Sequence, residues 1–248
     1  MPILDPNDNL RTHKIAGSRY GFSGTRVDQL GASEWTLVAV AADVSGSVQP
    51  FVREIEGVIA STVQACRLSP RSDHLMLRVV AFDGALHEVH GFKPLAEARP
   101  DDYRGALSAG GLTALYDAAH NAVSATVQYG EALTARGMAV NAILFVITDG
   151  GDNASTEGPA AVAEAVRRAV RSEALESVLT VLVGVNVTDP AIGGYLTDLS
   201  TQAGFDHYLE LGDADARTLA GLADFVSRSI AAQSIVLGTG GPSALLVP

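Results

Sequence analysis

Apolar residues along this chain fall into two alternating rhythms. Trp35-Thr36-Leu37-Val38-Ala39-Val40 runs on through Ala41 and Ala42 without a polar break. Such a run predicts a strand over 35–44 covered on both faces, as in the middle of a parallel sheet. From 48 to about 68 the rhythm turns helical. Phe51, Ile55, Val58, Ile59, Thr62, Val63 and Cys66 lie on one stripe. Ser47 stands ahead of that helix as a candidate cap, and Ser69-Pro70 closes it.

The exchange then repeats. A second strand is predicted over 74–82. Asp83-Gly84 signals a hairpin, and 86–92 returns as a short antiparallel strand at a sheet edge. Residues 93–111 read as irregular, with one helical turn over 101–107. A helix of about 22 residues follows Thr113, with Leu115, Ala118, Ala119, Ala122, Val123, Thr126 and Leu133 on one face and Gly137 just past its end. Further strands are expected over 142–147, 178–185 and 207–211. The intervening helices are read over 159–175 and 195–203. The first of these opens at Pro159, with Ala163, Val166, Ala169 and Val170 facing inward. A last helix carries Leu219, Leu222, Ala223, Val226 and Ile230.

Strands alternating with helices over 35–233 predict one α/β domain. It is a doubly wound, mostly parallel, Rossmann-like sheet with one antiparallel edge strand and helices on both faces. Residues 1–34 show turn formers and no periodicity. They read as an extended arm anchored by Ile15, Tyr20, Phe22 and Leu30. Residues 234–248, with Gly238-Thr239-Gly240-Gly241-Pro242, read as a flexible tail.

Composition narrows the function. The chain has 248 residues, 47% hydrophobic and 18% charged, with a formal net charge of -11. An acidic surface repels phosphate backbones, so no nucleic-acid role is expected; it suits cations or basic patches on proteins. The single cysteine, Cys66, excludes an intrachain disulfide and sits on the apolar side of its helix. The start of the chain has no basic n-region or apolar h-region, and no run of about 18 apolar residues occurs. The expectation is a cytoplasmic protein without a membrane role. His87 and His90, three apart on the return strand, are expected to be exposed and to point to opposite faces. His120, beside an apolar stripe, reads as structural.

Three polar segments stand at the ends of predicted strands or the start of a helix. The first is Asp43-Val44-Ser45-Gly46-Ser47. The second is Thr113 after Gly110-Gly111, and the third is Thr148-Asp149-Gly150. In doubly wound sheets such loops meet at the carboxyl ends of the strands. Two carboxylates and three hydroxyls form an all-oxygen set, suited to Mg²⁺ or Mn²⁺ rather than to zinc. Asp152 and Asn153 read as loop residues near that point. Asp117 lies either behind it or on a solvated helix face.

These segments, in this order, resemble the von Willebrand factor A domain and its metal-ion-dependent adhesion site, D-x-S-x-S plus a separate Thr and Asp. The resemblance covers about 35–233. It implies that Ser45, Ser47 and Thr113 ligate Mg²⁺ (or Mn²⁺) through their hydroxyls. Asp43 and Asp149 would act directly or through water, and a partner's Glu or Asp would complete the shell. Bacterial cytoplasmic relatives of this kind resemble accessory proteins of AAA+ ATPases of the MoxR type, or of tellurium-resistance and stress systems. The function expected is a metal-dependent protein-binding module and not an enzyme, with no catalytic residues. An alternative is a self-assembling protein that uses the same site between copies. A Mg²⁺-dependent phosphatase or phosphotransferase of the haloacid-dehalogenase kind fits less well. Its second acid would fall on Ser45, and no nucleotide-binding glycine loop is present.

Overall fold

A computed structural model of the protein describes residues 9–237. Eight strands form one sheet. They are β1 (Leu10–Lys14), β2 (Gly21–Thr25), β3 (Glu34–Asp43), β4 (Leu75–Phe82), β5 (Leu86–Pro94), β6 (Ala139–Thr148), β7 (Val178–Gly184) and β8 (His207–Glu210). Their spatial order is β1-β2-β5-β4-β3-β6-β7-β8. Strands β4, β3, β6, β7 and β8 are parallel, and β5 runs antiparallel to β4. Five helices cover the sheet: α1 (Val52–Arg67), α2 (Leu115–Thr134), α3 (Pro159–Arg171), α4 (Pro190–Ala203) and α5 (Ala216–Val236).

The pleat of β3 divides the core. Leu37, Ala39 and Ala41 face one apolar layer with α2, α3 and α4. Val38, Val40 and Ala42 face the other, with α1 and α5. That is why β3 shows no alternation in sequence: both faces are buried. The α1 stripe from Phe51 to Cys66 is buried as expected, with Cys66 5% exposed.

Several local features differ from the expectations. Residues 46–51 form a 3-10 turn ahead of α1, and no side chain caps either. Ser47 is exposed and its hydroxyl turns elsewhere. The helical turn expected over 101–107 is instead a pair of 3-10 turns, Leu95–Glu97 and Pro100–Tyr103. Val170, expected to face inward, stands in the last turn of α3 and is 66% exposed, past the buried stripe of Val162, Ala163, Ala165, Val166 and Ala169. Helix α4 starts five residues early, at Pro190, behind an Asp189 cap that accepts the Ala191 N–H at 2.8 Å. Helix α5 continues through 234–236, and the remainder of the expected tail lies outside the described residues.

The antiparallel strand β5 is present beside β4, but the sheet does not end there. Residues 10–25 of the arm pair as β1 and β2, and β2 meets β5 in parallel at Gly24 and Phe92. Ile15 and Phe22 are buried in the layer shared with α2, and Leu30 packs against it. Tyr129 of α2 stacks on Phe92 at 4.9 Å and donates its hydroxyl to Thr25 O at 2.7 Å. His90 is fully buried rather than exposed, held between Gly91 O at 2.9 Å and the Tyr103 hydroxyl at 2.8 Å. An irregular register in the β4–β5 pairing and the turn carrying Tyr103 together cover it.

Candidate metal centre

Strand order reverses around β3: the chain goes to β4 on one side and later to β6 on the other. The crevice above β3 and β6 is therefore the topological switch point, where such sheets bind ligands. Register places Ala42 opposite Ile147, so Asp43 at the end of β3 adjoins Thr148 at the end of β6.

Asp43 is 0% exposed. Its Oδ1 accepts the Ser45 N–H at 2.7 Å, and its Oδ2 accepts the Thr148 hydroxyl at 2.6 Å. The Ser45 and Ser47 hydroxyls are 3.2 Å apart. The Ser47 hydroxyl donates to Asp149 Oδ1 at 2.9 Å. A continuous chain of hydrogen bonds, passing through the Ser45 backbone N–H, thus links Thr148, Asp43, Ser45, Ser47 and Asp149. Burial pushes the Asp43 carboxyl up to about 6, against the bonds from Thr148 and Ser45, and the charge of Asp149 adds to the rise. Burial also raises Asp149, against its bond from Ser47.

Thr113 joins this group through its backbone. The segment before it is tied to the Asp43 loop by Gly110 N–H to Val44 O at 2.8 Å and Gly46 N–H to Gly111 O at 3.2 Å. Gly111 takes φ +79, the left-handed region that glycine enters without strain, with Asp83 alongside. Thr113 N–H donates to Asn153 Oδ1 at 2.7 Å, and Asn153 N–H donates back to Thr113 O at 2.9 Å. Asn153 therefore pins the Thr113 loop to the loop that carries Asp149. Thr113 is 6% exposed.

The loop after Asp149 is held from below. Asp117, one turn into α2, has a fully buried carboxylate. Its Oδ1 accepts the N–H groups of Thr156 at 3.0 Å and Glu157 at 2.8 Å, and its Oδ2 pairs with Arg19 of the arm at 3.0 Å. Asp152 accepts the Tyr116 N–H at 3.3 Å and the Ser155 hydroxyl. Asp117 is thus a support and not a solvated residue. Thr148 and Arg19 were not legible as parts of this arrangement: the first needs the β3–β6 register, and the second needs the arm to be docked.

The donor set can be tested for a cation. A fully buried carboxylate, Asp43, and a half-buried one, Asp149, converge, each raised by burial, and neither forms an ion pair among the described residues. Buried like charges without a counterion are costly, and a divalent cation supplies the missing charge. No group of three or more His, Cys, Asp or Glu suited to a metal occurs among the described residues. The remaining donors here are hydroxyls. His87 does not join them. It bonds Asp83 at 3.1 Å and lies half-exposed on the hairpin side.

No family model matches the sequence, and no curated protein matches it. Solved structures share the fold. The PilB minor pilin from Streptococcus sanguinis superposes with a TM-score of 0.57 at 14% identity, over 88% of this chain and 66% of its own. The pilus adhesin SpaC from Lactobacillus rhamnosus GG gives 0.57 at 12% identity, over 82% of this chain and 31% of its own. Proximal thread matrix protein 1 from the mussel byssus, with a zinc-occupied MIDAS motif, gives 0.55 at 18% identity, over 81% and 47%. The chain spans two thirds or less of the length of these proteins. At such identities the likeness shows the fold alone, a doubly wound, mostly parallel α/β sheet of the von Willebrand factor A type. Among the described residues no helix is long and apolar enough to cross a membrane.

Proposed function

We propose that the chain is a metal-dependent protein-binding module. In this reading Ser45, Ser47 and Thr113 hold Mg²⁺ or Mn²⁺ through their hydroxyls, and Asp43 and Asp149 hold it directly or through water. The observation that carries it is the convergence of a fully buried carboxylate, Asp43, and a half-buried one, Asp149, neither in an ion pair among the described residues, with a set of hydroxyls at the switch point. The ion's remaining affinity goes to an Asp or Glu of a partner. The serines matter because they are neutral. They bind without cancelling the charge that attracts an outside carboxylate. The mussel protein's zinc-occupied motif supports a divalent ion in such a site, and the preference for Mg²⁺ or Mn²⁺ rests on the all-oxygen donors.

The chemistry argues for binding rather than catalysis. Ser45 occupies the place where a phosphotransferase would need a second acid. We place the partner in an AAA+ ATPase or stress-response complex of the cytoplasm, on the bacterial von Willebrand factor A resemblance.

A second reading puts the carboxylate on another copy of the chain, which makes head-to-tail assemblies. The 28 acidic residues supply many candidates. Two measurements test the proposal. Mn²⁺ binding followed by electron paramagnetic resonance should be saturable in the wild type and lost in Asp43→Ala. Capture from native lysate in Mg²⁺ should recover a partner that EDTA and Asp43→Ala both release. Light scattering with and without Mg²⁺ separates the second reading. Binding that survives both EDTA and Asp43→Ala would sink the proposal.

A further inference from the structure

The docked arm leaves a space beneath it. A cavity of about 350 Å³ lies between the arm and the ends of β4 and β5, within the size range of small-molecule sites. Part of its wall is apolar, from Phe22, Val80 and Leu86. The rest is polar or charged, and Arg78 is the deepest charged residue of the lining.

Arg78 is unusual for its depth, at 1% exposed. Its Nε donates to Glu88 at 2.8 Å and its Nη2 to Asn121 at 2.8 Å. Its Nη1 is buried with no partner among the described residues. The guanidinium stands 6.0 Å and 5.9 Å from the Phe22 and Phe92 rings, which hold it in place. Arg19 and His87 line the outer part, with side chains 52% and 50% exposed.

Glu88 is the one acid on the wall, and it is already occupied. It accepts from Arg78 and from both the N–H and the hydroxyl of Ser23. One buried donor on the wall, the Nη1 of Arg78, is left over. The arm over 9–27 contains Arg11, Lys14, Arg19 and Arg26, of which Arg19 pairs with Asp117 and Arg26 with Asp28.

We propose that this cavity binds a small organic carboxylate. The acid group faces Arg78, with Arg19, which also pairs with Asp117, and His87, which also bonds Asp83, at the mouth, and the carbon skeleton lies against Phe22, Val80 and Leu86. Inorganic phosphate fits less well. It would give up hydration to the apolar wall without gaining anything there. The site is separate from the metal centre and requires no ion.

The test is calorimetry on the full chain, stripped of metal on a chelating resin so that no carboxylate can be held through a cation. The probes are succinate, benzoate, inorganic phosphate and the neutral succinamide. Succinate or benzoate should bind saturably in the millimolar range or tighter, and succinamide should not bind. Arg19→Met should weaken binding by about tenfold, the loss of one charge-assisted contact. Thr12→Trp should abolish it, because Thr12 sits on the exposed strand β1 and lines the cavity. Asp43→Ala should leave it unchanged. The proposal is overturned if neither carboxylate binds up to about 10 mM, or if succinamide binds as tightly. It is also overturned if binding needs Mg²⁺, or if Arg19→Met and Thr12→Trp both bind like wild type while retaining its circular dichroism.

Discussion

The hydroxyl of Ser47 donates to Asp149 across 102 positions of sequence, at 2.9 Å. That bond joins the loop after β3 to the loop after β6, which carries the third segment of the motif. It occupies donor and acceptor atoms that an arriving cation would claim.

Ser47→Ala should therefore cost little in the metal-free protein, because Ser47 is exposed. The variant should lose most of the thermal shift caused by Mg²⁺. In wild type that shift should approach the ~2.7 kcal/mol expected when the ion stands at about 100 times its dissociation constant. Differential scanning calorimetry with and without Mg²⁺ reads both effects. An equal shift in the variant would remove Ser47 from the ligand set.

Asp43→Asn should act in the opposite direction on the metal-free chain. The carboxylate is fully buried beside Asp149 and has no cation. Replacing it with a neutral isostere should raise the melting temperature of the stripped protein by roughly several degrees. The same variant should show no Mg²⁺ shift. A lower melting temperature in the stripped variant would mean that the charge stabilises the fold without an ion.

Asp117 supports the loop from a distance. Asp117→Ala leaves the N–H groups of Thr156 and Glu157 without their acceptor, at a cost of about 2–4 kcal/mol in stability. It should also weaken Mn²⁺ binding, measured by electron paramagnetic resonance below the melting range. Asp117→Asn, which keeps one acceptor oxygen, should recover much of that affinity. Unchanged affinity in the alanine variant would confine Asp117 to stability.

His90 makes stability depend on pH. Burial, followed by the charge of Lys93, lowers its pKa from 6.5 to about 3. As pH falls through 6.5 the unfolded chain takes up the proton and the folded one does not. The contribution is therefore complete above about 6.5 and is lost toward 3. Between pH 6.5 and pH 5 this residue alone should remove ~2 kcal/mol. Urea titrations of wild type and His90→Asn at the two pH values should show a smaller loss in the variant. Parallel losses would contradict the buried, neutral imidazole.

Gly91 admits the arm. A methyl group there would collide with the backbone and hydroxyl oxygens of Ser23. Gly91→Ala should loosen β1 and β2 while β3, β6 and β7 stay folded. Hydrogen exchange should then rise over 10–25 and remain slow in the central strands. Uniformly faster exchange would mean that the arm and the sheet unfold together.

Most of the sheet could be read from the chain because its central strands are buried on both faces. Burial writes an unbroken apolar run, as in 35–42 or 142–147. The motif residues were legible for a related reason: Asp43 and Asp149 sit where such runs stop. The arm was not legible. Strands β1 and β2 are five residues each and mostly polar, and their pairing depends on Gly24, Gly91 and Tyr129, which are far apart in sequence. His90 was misplaced for the same reason, since the turn carrying Tyr103 is what covers it. The Asp189-Pro190 start of α4 was written plainly in residue types and was overlooked. Val170 shares the helical repeat of Ala163 and Val166, and its exposure in the last turn of α3 depends on what packs there, which periodicity does not carry.

Hydrogen bonds hold the loops of the candidate site to one another, from Thr148 to Asp43 and in both directions between Asn153 and Thr113. An incoming cation thus finds its donors in place and exchanges one weak bond for several stronger ones, with little ordering of the chain to oppose it. Such a site loads and unloads without melting its surroundings. On the proposed function, grip on a partner would then follow the free ion concentration, released by chelation and restored by supply, while the protein itself remains folded.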